Sequence, residues 1–261
     1  MLLEHQGIEG LRVGRFDLGI SAACILYRVG STVIDTGPPN QWRVVRRFLR
    51  ERRVARVLIT HHHEDHAGNG ARCLAELGAR VYLPEAGLRP AMDGFPLRAY
   101  QRVLWGAPRR FEPEPVPRQT DAGDGVRLRA IPAPGHSPDM TCYLEPERGW
   151  LFAGDLYIAS KPRFMRADET VDDQIASLRS VLALDFATVF CAHRGVVVEG
   201  RRAIEAKLDY LVSLRDQVRD LHDRGHSIAR ITRTLLGRET AMSLLTMYHF
   251  SKRNLVRACL G

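Results

Sequence analysis

"LITHHHEDHAGNG", running from Leu58 to Gly70, sets four histidines and two carboxylates in six consecutive positions. The whole chain has only ten histidines, so this density needs a cause. An apolar core does not tolerate it, because buried charge and unpaired imidazole cost free energy unless something compensates them. A solvated loop has no use for it. A metal ion is the compensator that imidazole and carboxylate have in common. His61 and His63 are two apart, so in an extended segment their side chains point the same way. Asp65 and His66 come at the turn that follows, where they can face a second point nearby. Imidazole plus carboxylate without thiolate suits zinc, iron or manganese.

The remaining donors lie far along the chain but in similar surroundings. "IPAPGHSPD" carries His136, "WLFAGDLY" ends a β-rich run on Asp155, and "VFCAHRG" ends another on His193. Each follows an apolar run and sits among Gly or Pro. In an open α/β sheet the functional edge lies at the carboxyl ends of the strands, so four strand ends would deliver donors to one edge. Two such clusters sharing one carboxylate would make a site for two metals, roughly 3.5–4 Å apart.

The flanking pattern is that of an α/β protein. "AACILYRVGSTVIDTG" reads as two strands turning at Gly30-Ser31. "NQWRVVRRFLRERR" places Trp42, Val45, Phe48 and Leu49 at helical spacing. "VARVLIT" is a short buried strand, "GARCLAELG" a helix stopping at Gly78, and "RVYLP" a strand. From Glu85 to Asp124 the pattern weakens into a Pro- and Arg-rich stretch, as expected for a lid or binding loop. "VRLRAIPAP" and the hairpin "TCYLEPERGWLFAGD" resume β structure, followed by the helix "DDQIASLRSVLAL" and the strand "FATVFCAH". After Gly200 the reading is all helix, with Ile204, Leu208, Leu211, Val212, Val218 and Leu221 on one face. A boundary is placed there, giving units 1–199 and 200–261.

Composition bounds the classes of function. The 261 residues, 45% hydrophobic and 26% charged, describe a globular chain with a substantial core. Lys and Arg exceed Asp and Glu by 38 to 30, which favours anionic partners, although the arginines are scattered and form no nucleic-acid patch. The five cysteines are odd in number and form no CxxC, arguing against a thiolate zinc site or a disulfide framework. The N-terminal stretch "MLLEHQGIEGLRVGRFD" carries charge at Glu4 and Glu9 and no apolar core of signal-peptide length, and nothing further on approaches a transmembrane span. The expectation is a cytoplasmic protein without membrane partners, a homodimer being left open.

"HHHEDH" followed by "PGHSPD", "AGD" and "AH" resembles the metallo-β-lactamase superfamily, whose signature is HxHxDH with a later His, Asp and His. All seven positions occur in order between Asp35 and about Gly195. The resemblance implies an αββα sandwich, here with an α-helical C-terminal extension similar to that of several intracellular members. It implies a first metal on His61, His63 and His136, a second on Asp65, His66 and His193, and Asp155 bridging the two. Asp35, in "VIDTG", resembles the family's early aspartate that supports the site from behind the ligands. Arg194 departs from the glycine common in "GHG". His62 and Glu64 occupy the variable motif positions and are expected to face solvent or stand behind the ligands. His5, His222, His226 and His249 are read as ordinary surface or packing residues.

No Ser or Cys is placed at the cluster, so the chemistry implied is that of a dinuclear metal-dependent hydrolase. A metal-bridging hydroxide would attack a carbonyl (ester, thioester or lactone) or phosphoryl centre of a small anionic substrate. Asp65 and Asp155 are the catalytic carboxylates, orienting the water and accepting its proton. Two divalent ions are expected, zinc first, with iron or manganese as alternatives. Two other readings share the signature: a mononuclear iron dioxygenase of the persulfide type, and a nucleic-acid phosphodiesterase, the latter not favoured. Flavin-linked diiron members carry Glu where this chain has His63. A regulatory protein without turnover is disfavoured by the intact ligand set. Lys161, Arg163 and Arg166, and separately Arg98, Arg102, Arg109 and Arg110 with Tyr100 and Trp105, are candidates for contact with an anionic or stacking substrate.

Overall fold

The computed structural model describes residues 1–16 and 22–261. Its first sheet contains, in spatial and chain order, β1 (Leu2–His5), β2 (Ile8–Val13), β3 (Cys24–Val29), β4 (Thr32–Ile34), β5 (Arg56–Leu58), β6 (Arg80–Leu83) and β7 (Glu114–Pro115). The connection between β3 and β4 is tight, turning at Gly30 and Ser31, and these strands are antiparallel. Where a helix intervenes, the flanking strands are parallel, as a crossover requires. Thus α1 (Trp42–Arg50) separates β4 from β5, and α2 (Gly70–Leu77) separates β5 from β6. The weakly patterned segment after Glu85 forms two short helices, α3 (Glu85–Asp93) and α4 (Ala99–Leu104), before β7.

The second sheet is built from β8 (Gln119–Gly123), β9 (Val126–Pro132), β10 (Thr141–Glu145) and β11 (Trp150–Gly154). After the short β12 (Met165–Arg166) and the crossover helix α5 (Val171–Leu182) come β13 (Thr188–Cys191) and β14 (Gly195–Val197), giving the spatial order β14-β13-β11-β10-β9-β8. The pairing of β11 with β13 is parallel and the other pairs are antiparallel.

Three apolar layers hold the sandwich together. Between the sheets, Ile25, Tyr27, Ile34 and Leu58 meet Leu128, Tyr143, Phe152 and Phe190. Outside the first sheet, Val45, Phe48 and Leu49 of α1 and Cys73 of α2 cover Val33, Val57 and Val81. Outside the second, α5 and the C-terminal helices cover Cys142, Leu144, Leu151 and Val189. The αββα architecture with added helices is therefore the one the sequence implies. Hydrogen bonds cross between the sheets at one edge: Tyr27 Oη donates to Cys191 O at 2.7 Å and Tyr143 Oη to Ile59 O at 2.7 Å. The Ile25 amide donates to Ala192 O at 2.6 Å, and that of Thr141 to Thr60 O at 2.9 Å. Thr60 and Ala192 immediately precede His61 and His193, so these bonds set the two strand ends beside each other.

The tail comprises α6 (Gly200–Asp223), α7 (Ile228–Leu236), α8 (Ala241–Leu245) and α9 (Lys252–Ala258). The expectation of helix throughout fails at β15 (Phe250–Ser251), which pairs antiparallel with β12. Met247 and Tyr248 adopt φ of +50° and +60°, a conformation no helix propagates. Ser251 then starts α9 by accepting from the Asn254 amide at 3.0 Å. Among Ile204, Leu211, Leu214 and Val218 on the buried face of α6 lies one cation, Lys207. Its ammonium donates to Leu156 O at 2.6 Å, and burial pushes its pKa down to about 8. Among the described residues no helix is long and apolar enough to cross a membrane.

Candidate metal centre

The site begins with backbone geometry at three strand ends. After β4 the chain turns through Asp35, whose φ of +61° is one that Asp tolerates better than most residues. Its carboxylate accepts from the Thr60 amide at 2.8 Å, the Thr60 hydroxyl at 3.0 Å and His66 Nδ1 at 2.8 Å. Beyond β5, the amides of His66 and Ala67 both donate to His63 O, at 3.0 and 2.8 Å, forming the turn that brings Asp65 and His66 back toward His61. Gly154, before Asp155, has φ of +48°, and a Cβ there would stand 2.4 Å from Met140 Cε and 3.0 Å from Thr60 Cβ. Glycine alone lets β11 pass close enough to β5 for Asp155 to reach the histidines.

Four of the five histidines have one ring nitrogen held from behind. The Thr60 hydroxyl, which donates to Asp35, lies 3.0 Å from His61 Nδ1 and accepts from it. His66 Nδ1 donates to Asp35, and His193 Nδ1 to Ala23 O at 2.7 Å. His136 Nδ1 lies 3.1 Å from Glu169 Oε1. The Nε2 atoms of these four rings remain available to the interior. His63 presents its other nitrogen, with Nδ1 3.0 Å from His136 Nε2.

Asp155 stands between the rings. Its Oδ1 is 3.1 Å from His193 Nε2 and 3.4 Å from His66 Nε2, while Oδ2 is 3.3 Å from His136 Nε2. Asp65 Oδ2 is 3.6 Å from His193 Nε2 and 3.8 Å from His66 Nε2. The donors fall into three overlapping groups: His61, His63 and His136; His61, His66 and Asp155; and Asp65, His66 and His193. Within each group the donor atoms lie within 4.8 Å of one another. His61 Nε2, His66 Nε2 and Asp155 Oδ1 are buried and make no hydrogen bond. Buried polar atoms are ordinarily satisfied, and three unbonded donors within 4.8 Å of one another are what a bound cation would satisfy. The donor set fits divalent ions.

Electrostatics agree with the geometry. Burial pushes His61 and His63 well below the usual imidazole range, keeping their lone pairs free. Burial also acts on Asp155, but His193, His66 and His136 outweigh it and hold that carboxylate well below its ordinary value. His66 and His193 are raised despite burial, His66 by Cys24 and the carboxylates of Asp35, Asp65 and Asp155, His193 chiefly by Asp155. The centre therefore presents an anion among imidazoles. The buried cysteines are no rival: Cys24 is fully enclosed, and burial pushes its thiol well up.

All seven residues singled out in the sequence thus converge, and Asp35 lies directly behind His66. Glu64 does not face solvent: it is 1% exposed, and its Oε1 accepts from Gln101 Nε2 at 2.7 Å, tying α4 to the motif. His62 turns away to Asp139, with Nδ1 and Oδ1 2.9 Å apart. Lys161 and Arg163 are exposed, whereas the Arg166 side chain is only 11% exposed and approaches His63. Arg98, Arg102, Arg109 and Arg110 are exposed, but Trp105 is buried and offers no stacking platform. Arg194 is exposed. Sequence reasoning missed Thr60, Glu169, Asp139 and Lys207, none of which carries a spacing signal. His249, read as a surface or packing residue, is the latter: it is 7% exposed, hydrogen-bonded to Tyr100, and lowered to about 4 by burial.

Asp35 allows a test that leaves every donor in place. In Asp35→Asn an amide N–H replaces one oxygen, so Asp35's position can no longer accept from both Thr60 and His66. His66 is then driven to carry its proton on Nε2, the atom facing the centre. Metal affinity is expected to fall ~10–100-fold with the fold intact, measured by titration against a competing chelator. Unchanged affinity would remove Asp35 from any role in orienting His66.

Comparison with known proteins places this geometry in a family. The metallo-beta-lactamase superfamily model matches residues 22–193. Hydroxyacylglutathione hydrolase of Aliivibrio fischeri is 30% identical over 191 residues, covering 69% of this chain and 63% of its own length. Thioesterase pkgB of Emericella nidulans is 29% identical over 182 residues, covering 66% of this chain and 46% of its own. The chain spans less than two thirds of the length of these curated relatives. A metallo-beta-lactamase family protein from Thermus thermophilus superposes with a TM-score of 0.67 at 21% identity, covering 97% of this chain and 91% of that one. With the family's model spanning the sandwich from before β3 to His193, the chain belongs to the metallo-beta-lactamase superfamily.

Proposed function

We propose that this protein is a metal-dependent hydrolase of acyl thioesters, using two divalent ions, zinc first. His61, His63 and His136 would hold one, Asp65, His66 and His193 the other, with Asp155 between them. The observation that carries the reading is the set of buried, unbonded donor atoms on His61, His66 and Asp155. Ions bound there acidify water and polarise a carbonyl oxygen. The thioester class is supported by the activities named for the similar hydroxyacylglutathione hydrolase and thioesterase.

The chain's own residues divide the remaining work. Asp155, within 3.1–3.4 Å of three imidazoles, fixes the spacing of the cluster. Asp65 has no imidazole nitrogen closer than 3.6 Å and is the freer carboxylate. It orients the attacking water and takes its proton. The water oxygen bonds to the acyl carbon, the C–S bond breaks, and the departing thiolate takes back the proton that Asp65 received. A thiolate departs without a strong acid beside it, which suits a site whose nearby histidines are already occupied as donors.

The test is metal analysis followed by a substrate panel. Zinc-loaded protein is expected to release thiol from short acyl thioesters faster than alcohol from matching esters, with no cleavage of bis(p-nitrophenyl) phosphate. About one iron per chain, with oxygen uptake on thiol substrates, would replace the hydrolase with a dioxygenase. Phosphodiester cleavage without thiol release would move the substrate class to nucleic acid.

A further inference from the structure

We propose that Arg166 is the specificity-determining residue of this site, its Nη1 binding a carboxylate carried by the acyl part of the substrate. The proposal rests on the thioesterase reading for the reaction, but not for the binding.

Arg166 is built into place from two sides. Its backbone lies in β12, paired with Phe250 of β15, so the tail fixes where the side chain starts. Its guanidinium is clamped by one carboxylate: Nε donates to Asp168 Oδ1 and Nη2 to Asp168 Oδ2, both at 3.0 Å. That two-pronged pairing uses one edge of the planar fork and dictates the direction of the rest. The remaining nitrogen, Nη1, points inward. Among the described residues its one neighbour at hydrogen-bond range is His63 Nδ1, at 3.5 Å.

That neighbour is the nitrogen of His63 that faces His136 Nε2, the atom assigned above to a metal. Once its lone pair is committed to an ion, Nη1 has no acceptor left, although the side chain is only 11% exposed. A largely buried guanidinium N–H without an acceptor is costly. An anionic oxygen placed beside His63 would satisfy it, and a substrate held at the centre is what brings one there. The clamp leaves a positive end on the inner side, because Asp168 is on the outer side and itself 61% exposed. Glu169, the next carboxylate along, is engaged with His136 and with Gln174 Nε2 at 2.7 Å. A carboxylate is the fitting partner: it accepts strongly at one oxygen while the other stays hydrated at the mouth of the site. A neutral alkyl chain of the same length would leave Nη1 unpaired.

The test separates binding from turnover. Succinamate and its neutral isostere succinamide are titrated by calorimetry into zinc-loaded protein, wild type and Arg166→Gln. Both ligands offer an amide carbonyl at one end; at the other end succinamate carries a carboxylate and succinamide a second, neutral amide. The wild type is expected to prefer succinamate, and Arg166→Gln to cut that preference by at least ~10-fold with succinamide binding unchanged. A preference equal in both proteins overturns the proposal, since the ions alone would then be reading the charge. Arg166→Lys guards against misfolding: it keeps the cation and is expected to retain a preference above that of Arg166→Gln. In parallel, succinyl and butyryl thioesters of N-acetylcysteamine are assayed for thiol release. Loss confined to the succinyl substrate, and expressed in KM, supports the role. An equal fall in kcat on both substrates overturns it in favour of a general effect on the reaction. No thiol release from either, with the binding preference intact and lost in Arg166→Gln, would remove the thioesterase reading while upholding Arg166.

Discussion

Asp155→Ala is expected to lower kcat/KM on thioesters by on the order of 10³-fold and to leave purification with much less metal than the wild type. It lies against donors from both halves of the cluster: Oδ1 reaches His193 and His66, and Oδ2 reaches His136. Removing it takes away the anion shared by the two halves of the cluster and exposes five imidazoles to one another's charge. The effect on the fold should be small, because Asp155 lies one residue beyond β11 and outside the three apolar layers. Metal content, thiol release and circular dichroism on one preparation check the three parts of this expectation. A folded variant with full metal and full activity would leave Asp155 no bridging role.

Chelation should produce the second large effect. Metal that binds only the folded chain stabilises it by about 4 kcal/mol when free metal is a thousand times Kd. For a chain of this size that corresponds to a rise in Tm of roughly 10 °C. Dialysis against a strong chelator is therefore expected to lower Tm by about that amount, and added zinc to restore it. The shift should shrink in acid, because protons compete for the same lone pairs. A chelator-independent Tm would mean that the buried imidazoles and carboxylates satisfy one another without an ion.

The donors were legible in the sequence because each is tied to a local cue. His61, His63, Asp65 and His66 crowd one strand end and turn, while His136, Asp155 and His193 each close an apolar run beside Gly or Pro. The strands β3–β6, β9–β11 and β13 and the covering helices α1, α2 and α5 were legible for the same reason, since their apolar periodicity reports which face is buried; the outer strands β1, β2, β7, β8 and β14 were not. What supports the donors was not. Glu169 reaches His136 from a loop with no pattern, and Asp139 takes up His62 across the sequence, so their roles exist only in three dimensions. The tail misled because "AMSLLTMYHFSKRNLVRACL" keeps an apolar rhythm across Met247 and Tyr248, where positive φ breaks the helix. Periodicity reports which residues seek burial and says nothing of two backbone angles. Arg166 gave the weakest signal: Lys161 and Arg163 stand close by with the same charge, and only the pairing with β15 separates the inward cation from the outward ones.

Lys207 gives the long helix a single way to lie on the sheet. An apolar stripe alone is forgiving, since leucine and valine can be repacked after a small slide or rotation of the helix. An ammonium is not. Displaced along α6 by one residue, Lys207 would turn about a quarter of a revolution and lose Leu156 O, leaving a buried charge with nothing to accept its protons. Each wrong docking is thereby penalised far more than the right one is rewarded. The lysine acts as an alignment key, and the carbonyl it engages belongs to the residue next to Asp155.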